Sequence, residues 1–189
     1  GAVLMQYFKG EYGTREKADE SPVTDADLAA NRYIREKLLA LAADIPVVAE
    51  EDEVLSRSDH PLFWLVDPLD GTRSFMRHEP EFSVNIGLVK DRQPLLGIIY
   101  APVQDIVYFG MPGKGAFRQH GREEPRPISA RAPGEKVVIA RSRTEPTATS
   151  RAWLATLQIE QHPTTVDRVV PRPVHKIEHA PVMWVLRGW

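Results

Sequence analysis

The chain contains no cysteine, which excludes disulfide frameworks, thiolate metal sites and thiol nucleophiles. It also has no apolar run near the roughly 18 residues that a membrane span requires. Charge of one sign is not in excess, with 24 Lys and Arg against 26 Asp and Glu. There is therefore no general reason to expect a nucleic acid polymer or an anionic membrane as partner. We expect a small-molecule partner and a cytoplasmic location, with a peripheral place at the inner membrane as the alternative.

The composition is that of a globular protein. The 189 residues are 42% apolar and 26% charged, enough for one domain with a sizeable core. Acidic residues outnumber basic ones 19 to 11 in residues 1–105, whereas the count is 7 to 13 in residues 106–189. The acidic half suits bound cations and the basic half an anionic substrate, unless the asymmetry has no function. Residues 1–5 lack the basic start of a signal peptide.

Apolar spacing predicts mixed α/β layers. Thr24 and Asp27 have the capping-box spacing, and apolar residues then recur every three or four positions, which predicts a helix over 25–43. Short apolar runs at 47–49 and 62–66 indicate buried strands, and each is followed directly by carboxylates. Ligands of α/β sheets collect at the carboxyl ends of strands, so both ends are candidate sites. Further strands are predicted at 82–88, 95–100, 106–109 and 137–140, with a hairpin turn at 110–115 and a short helix at 149–157.

The most informative segment is residues 67–72, Asp-Pro-Leu-Asp-Gly-Thr. Its proline and glycine allow a sharp turn that swings Asp67 and Asp70 toward one point. Crowded carboxylates repel unless a cation lies between them, and Mg²⁺ prefers oxygen ligands, here including the Leu69 carbonyl. Gly71 and Thr72 would then open a helical turn whose free N–H groups favour a phosphate. The alternative is an ordinary surface turn.

The acidic run 50–53 is open to two interpretations. A solvated charge run is one. Its position after the strand at 47–49 favours the other, in which Glu50 points inward beside Asp67 and Asp70. Together with the Leu69 carbonyl, these residues could hold one Mg²⁺ and begin to hold a second. Two metal ions would activate a water and stabilise a leaving oxygen in phosphoryl transfer.

Two segments carry a family resemblance. Residues 64–72 resemble the first signature of the inositol monophosphatase superfamily, and residues 17–27 resemble the upstream segment of its 3′(2′),5′-bisphosphate nucleotidase branch. The resemblance covers residues 1–160. It implies a layered α/β/α/β sugar-phosphatase fold and lithium-sensitive, Mg²⁺-dependent phosphomonoester hydrolysis. The implied substrate is 3′-phosphoadenosine 5′-phosphate, cleaved to AMP and phosphate, and the alternative is inositol 1-phosphate or a related sugar phosphate.

The resemblance also implies roles for individual residues. Asp27 would help to hold a further, weaker metal ion through water, and Thr72 with Glu50 would orient the attacking water. The implied metal ligands are Glu50, Asp67, the Leu69 carbonyl and Asp70, which would hold two or three Mg²⁺ ions. The implied substrate-binding residues are Leu69, Asp70, Gly71 and Thr72.

The chain departs from the family pattern in its last part. The family's second signature is a Trp-Asp pair whose aspartate completes the metal site, and no tryptophan here precedes an aspartate. No glycine occurs between Gly134 and Gly188, so an expected Gly-Ser-Ser loop is missing too. We therefore expect a phosphatase domain over 1–160, an unassigned aperiodic tail over 161–189, an incomplete C-terminal part and an impaired second metal site. A shifted reading frame or a truncated gene would explain this, and a non-catalytic remnant is the alternative function.

Overall fold

Residues 1–16, 22–52 and 60–130 are described by the computed structural model. Within them, alternating apolar residues build a sheet and one amphipathic segment builds a long helix. The helices are α1 (Ala2–Phe8), α2 (Asp25–Leu41) and α3 (Thr72–Met76). The strands are β1 (Thr14–Glu16), β2 (Pro22–Thr24), β3 (Val47–Ala49), β4 (Leu62–Asp70), β5 (Ser83–Lys90), β6 (Gln93–Ala101), β7 (Ile106–Met111), β8 (Gly115–His120) and β9 (Arg126–Ile128).

Helix α2 begins at the predicted capping box. The Asp27 backbone N–H donates to Thr24 Oγ1 at 3.4 Å, and the Thr24 N–H donates to Asp27 Oδ2 at 2.8 Å. These two bonds satisfy donors that a helix start leaves unpaired. The helix ends at Leu41, two residues before the predicted end, because Ala42 leaves the helical conformation with φ −153° and ψ 85°.

Seven strands form one sheet in the order β3-β4-β5-β6-β7-β8-β9. Strands β3 and β4 are parallel, and the remaining neighbours are antiparallel. This confirms the predicted strands up to residue 109 and the hairpin at 110–115, where Met111 pairs with Gly115. The predicted end of β4 at residue 66 was wrong. The strand continues to Asp70, because the chain stays paired with β5 across a bulge.

Helix α3 packs into the core, and this packing fixes the turn after β4. Phe75 of α3 is fully buried, and its ring lies 5.0 Å from that of Phe82 and 5.4 Å from that of Phe8. Phe8 ends α1, a helix that the sequence patterns did not predict. Three aromatic side chains from separate segments therefore anchor the helix that follows residues 67–71.

Helix α2 covers one face of the sheet. Leu38 packs with Trp64 and Val66 of β4 on that face, while Leu65 and Val89 form a separate cluster on the other. No helix within the described residues is long and apolar enough to cross a membrane. The predicted strand at 137–140, the predicted helix at 149–157 and the tail at 161–189 lie outside the described residues.

Candidate functional site

A β-bulge puts Asp67 and Asp70 on the same face of the sheet. Asp67 pairs with Asn85 of β5 and Asp70 pairs with Ser83, so two residues of β4 oppose the single residue Val84 between these pairs. In a regular strand, positions three apart point to opposite faces. The extra residue corrects this alternation, and both carboxylates share the face on which Asn85 and Ser83 lie.

Glu50 joins these two aspartates from the neighbouring strand. Its backbone N–H continues the parallel pairing by donating to the Val66 carbonyl at 3.0 Å, which places Glu50 beside Asp67. The side chains of Glu50 and Asp67 are hydrogen-bonded, and the charge of Glu50 acts on both aspartates. The prediction that Glu50 lies beside them is confirmed, although the residue is exposed rather than turned into the interior.

The turn after β4 has the shape that its glycine allows. Gly71 has a φ of 94° and caps the N-terminus of α3. A Cβ at this position would lie 2.8 Å from the Glu81 carbonyl oxygen, so residue 71 fits here only without a side chain. The predicted opening of a helix at Gly71 and Thr72 is therefore confirmed.

Thr72 connects this turn to Asp27. Its hydroxyl lies 3.1 Å from the Leu69 carbonyl oxygen and 3.3 Å from Asp27 Oδ1. Asp27 is only 1% exposed, and its other oxygen accepts the Thr24 hydroxyl and backbone N–H. A buried carboxylate in the first turn of α2 is thus linked to the carbonyl that the sequence assigns to a metal ion.

The electrostatics of the site favour an added cation. The pKa of Asp67 is raised to about 8, mainly by burial and also by the negative charges of Glu50 and Asp70. Burial also raises the pKa of Asp70, which the charge of Glu50 reinforces and a hydrogen bond from Asn85 opposes. Burial is again the main reason that the pKa of Asp27 is raised, against the hydrogen bonds from Thr24. Three groups that resist ionisation in one region would all be stabilised by a divalent cation.

The donor set fits Mg²⁺ in chemistry. Glu50, Asp67, Asp70 and the Leu69 carbonyl offer only oxygen, the ligand that Mg²⁺ prefers. Within the part of the chain that the structure describes, no three His, Cys, Asp or Glu side chains stand in ligating geometry. The fit to Mg²⁺ therefore rests on the chemistry of these oxygen donors.

Two buried polar side chains were missed from the sequence. Asn85 and Ser83 are only 4% and 5% exposed, and Asn85 Nδ2 donates to Asp70 Oδ2 at 3.2 Å. The alternation of polar and apolar residues in β5 indicates a strand with two different faces, and it does not identify what the polar face contacts. Both faces of β5 are in fact largely buried, and the polar residues on one of them serve the carboxylates. An aspartate turn preceding such a strand is the signal that could have found them.

A second missed feature is a clamp on the acidic turn. Arg35 of α2 donates to both oxygens of Asp52, at 2.5 and 2.7 Å, and to the Val47 carbonyl at 3.1 Å. Asp52 in turn accepts the Ala49 N–H at 2.9 Å. Asp52 is therefore not a solvated charge, because it fixes the turn that carries Glu50.

Comparison with known proteins extends this description. The model of the inositol monophosphatase family matches residues 1–179. The 3′(2′),5′-bisphosphate nucleotidase CysQ of Salmonella typhimurium is 41% identical over 174 residues, which cover 87% of this chain and 67% of the relative. The corresponding Escherichia coli protein is 40% identical over 172 residues, with the same coverage.

Solved structures give the same picture. CysQ from Bacteroides thetaiotaomicron is similar with a TM-score of 0.64 and 28% identity, covering 83% of this chain and 63% of that one. The inositol monophosphatase of Thermotoga maritima has a TM-score of 0.61 and 26% identity, with 72% and 52% covered. The chain thus spans about two thirds of the curated relatives and about half to two thirds of these structures.

The mixed sheet and the similar solved structures confirm the predicted layered α/β fold class. This architecture, with carboxylates at the ends of β3 and β4, is that of metal-dependent phosphatases. Ligands of α/β sheets collect at the carboxyl ends of strands, which is where Glu50 and Asp70 lie. The chain belongs to the inositol monophosphatase family.

Proposed function

We propose that the protein hydrolyses a phosphomonoester in a Mg²⁺-dependent reaction, and that the substrate is 3′-phosphoadenosine 5′-phosphate, cleaved to AMP and phosphate. The observation that carries the proposal is the bulge in β4, which brings Asp67 and Asp70 to one face beside Glu50. The choice of substrate is supported by relatives named 3′(2′),5′-bisphosphate nucleotidase at 41% identity.

The proposed metal ligands are Glu50, Asp67, Asp70 and the Leu69 carbonyl. Mg²⁺ bound there would lower the pKa of a water and neutralise charge on the phosphoryl oxygens. The raised pKa of Asp67 supports this assignment, because a bound cation would replace the proton that the carboxyl otherwise retains. We propose two or three ions, of which the second and third are held less well.

Thr72 and Glu50 are proposed to orient the attacking water. The Thr72 hydroxyl donates a hydrogen bond to Asp27 Oδ1 at 3.3 Å, which leaves the hydroxyl oxygen free to accept a hydrogen bond from water. Phosphoryl transfer depends on such positioning more than on covalent catalysis. Leu69, Asp70, Gly71 and Thr72 are proposed to bind the substrate phosphate, supported by the start of α3, where no side chain caps the backbone N–H groups.

A second candidate function is metal or phosphate binding without turnover. It is favoured by one sequence observation: the family resemblance implies a Trp-Asp pair, and no tryptophan of the chain precedes an aspartate.

We further propose a cytoplasmic location, where nucleotides and Mg²⁺ are abundant. The small net charge supports the absence of a nucleic acid polymer among the partners.

Phosphate release by the purified chain distinguishes these functions. The substrates are 3′-phosphoadenosine 5′-phosphate, inositol 1-phosphate and fructose 1,6-bisphosphate, each with Mg²⁺ and with EDTA. The proposal expects EDTA-sensitive release that is fastest with the nucleotide. Faster release from inositol 1-phosphate would change the substrate, and no release from any of them beside measurable Mg²⁺ binding would favour the second candidate.

A further inference from the structure

The carboxylates of β4 each have one oxygen engaged by a donor of the protein itself. Asp70 Oδ2 accepts from Asn85 Nδ2 at 3.2 Å. Asp67 Oδ1 accepts the Leu69 backbone N–H at 3.1 Å. Each of these bonds occupies one lone pair of its acceptor oxygen and lowers the basicity of that oxygen, which favours the other oxygen of the carboxylate as the ligand of a cation.

The donor on Asp70 is itself fixed in orientation. Asn85 Oδ1 accepts from the Ser83 hydroxyl at 3.2 Å, which turns the amide nitrogen toward Asp70. Because Asn85 and Ser83 are almost fully buried on a packed strand, they cannot swing away without leaving polar atoms unpaired.

We propose that Asn85 is a positioning residue that makes the site select Mg²⁺ over Ca²⁺ by restricting Asp70 to coordination through one oxygen. The inference rests on the proposed metal site. Mg²⁺ requires near-octahedral geometry with single oxygen donors, whereas Ca²⁺ accepts more oxygens and takes carboxylates through both of theirs. A donor that occupies Asp70 Oδ2 therefore penalises Ca²⁺ more than Mg²⁺.

The test is calorimetric titration of the 189-residue chain with Mg²⁺ and with Ca²⁺, without substrate. Asn85→Leu keeps a similar volume and removes the donor, and we expect the preference for Mg²⁺ over Ca²⁺ to fall roughly tenfold. Ser83→Ala leaves the amide in place but frees its orientation, so it should shift the preference in the same direction by about threefold. This second variant keeps the test decisive if Asn85→Leu does not fold by circular dichroism.

Val89→Ala is the matched control, because Val89 is buried on the same strand and pairs with Phe63, four residues before Asp67. It should lower stability and leave the ion preference unchanged. If the wild type binds Mg²⁺ and the Asn85 and Ser83 variants keep its ion preference, this inference is overturned while the proposed site stands. If the wild type binds neither ion, the proposed metal site is overturned and the inference with it.

Discussion

Replacing Gly71 by alanine should destabilise the protein more than replacing any glycine that only needs a positive φ. The φ of 94° costs an L-residue about 1–2 kcal/mol. The new Cβ would lie 2.8 Å from the Glu81 carbonyl oxygen and 3.3 Å from Phe82 Cα, both backbone atoms that a side-chain rotation cannot move. Crowding of this kind adds roughly 1–3 kcal/mol. The expected loss of unfolding free energy for Gly71→Ala is therefore roughly 2–5 kcal/mol.

Gly113 provides the matched control. Its φ is 73°, and nothing lies within 4 Å of the Cβ that alanine would add. Gly113→Ala should therefore cost only the backbone strain, about 1–2 kcal/mol. Urea unfolding with EDTA, followed by circular dichroism, measures both losses without any contribution from bound metal ions.

The same two variants report on the site. Gly71 lies directly after Asp70, so a displaced turn should also weaken the stabilisation that Mg²⁺ gives, measured as the rise in unfolding midpoint on adding the ion. Gly113→Ala should retain that rise. Equal destabilisation by the two substitutions would refute the reasoning from close approach, and an unchanged Mg²⁺ effect in Gly71→Ala would refute the link to the site.

Three further predictions concern the carboxylates and their supports. The pKa of Asp67 is raised from 3.8 in the unfolded chain to about 8 in the fold, so the folded protein holds a proton that the unfolded chain releases. The metal-free wild type should therefore lose stability relative to Asp67→Asn as the pH rises from about 4 to 8. Urea unfolding that shows a gain in stability over this pH range would contradict this sign. Thr72→Val removes the hydroxyl beside Asp27 Oδ1 and should slow phosphate release about a hundredfold, whereas Thr72→Ser should stay near wild type; equal rates for both would exclude the hydroxyl. Arg35→Gln breaks the pair with Asp52 and should cost about 1–3 kcal/mol by urea unfolding, whereas Lys37→Gln, which removes an exposed charge on the same helix, should leave the unfolding midpoint nearly unchanged. Equal losses in the two variants would mean that the clamp contributes nothing.

Local signals were sufficient for the elements whose own residues determine them. The capping box at Thr24 and Asp27 is a contact between neighbours in sequence, and it correctly placed the start of α2. The glycine in the turn after β4 likewise predicted a conformation that only residue 71 has to satisfy. The apolar run at 62–66 and the residue types at 67–72 were therefore enough to locate the aspartate turn and the strand before it.

The supports of the site depend on contacts between distant segments. Asn85 is one polar residue of an alternating strand, and its role follows only from the pairing of β5 with the bulged β4. Arg35 and Asp52 are 17 positions apart and meet because α2 packs against β3. Helix α1 has no periodic signal of its own, and packing of Phe8 on Phe75 and Phe82 stabilises it. Such tertiary contacts override or extend local propensity.

The most direct test of the proposed phosphatase is phosphate release from 3′-phosphoadenosine 5′-phosphate by the wild type and by Asp70→Asn at the same saturating Mg²⁺. The substitution keeps the shape of the side chain and removes the charge that the proposed site needs. We predict that the wild type releases phosphate at least about a hundredfold faster, as expected for the loss of a group that stabilises the transition state. Equal rates in the two proteins would contradict the proposal.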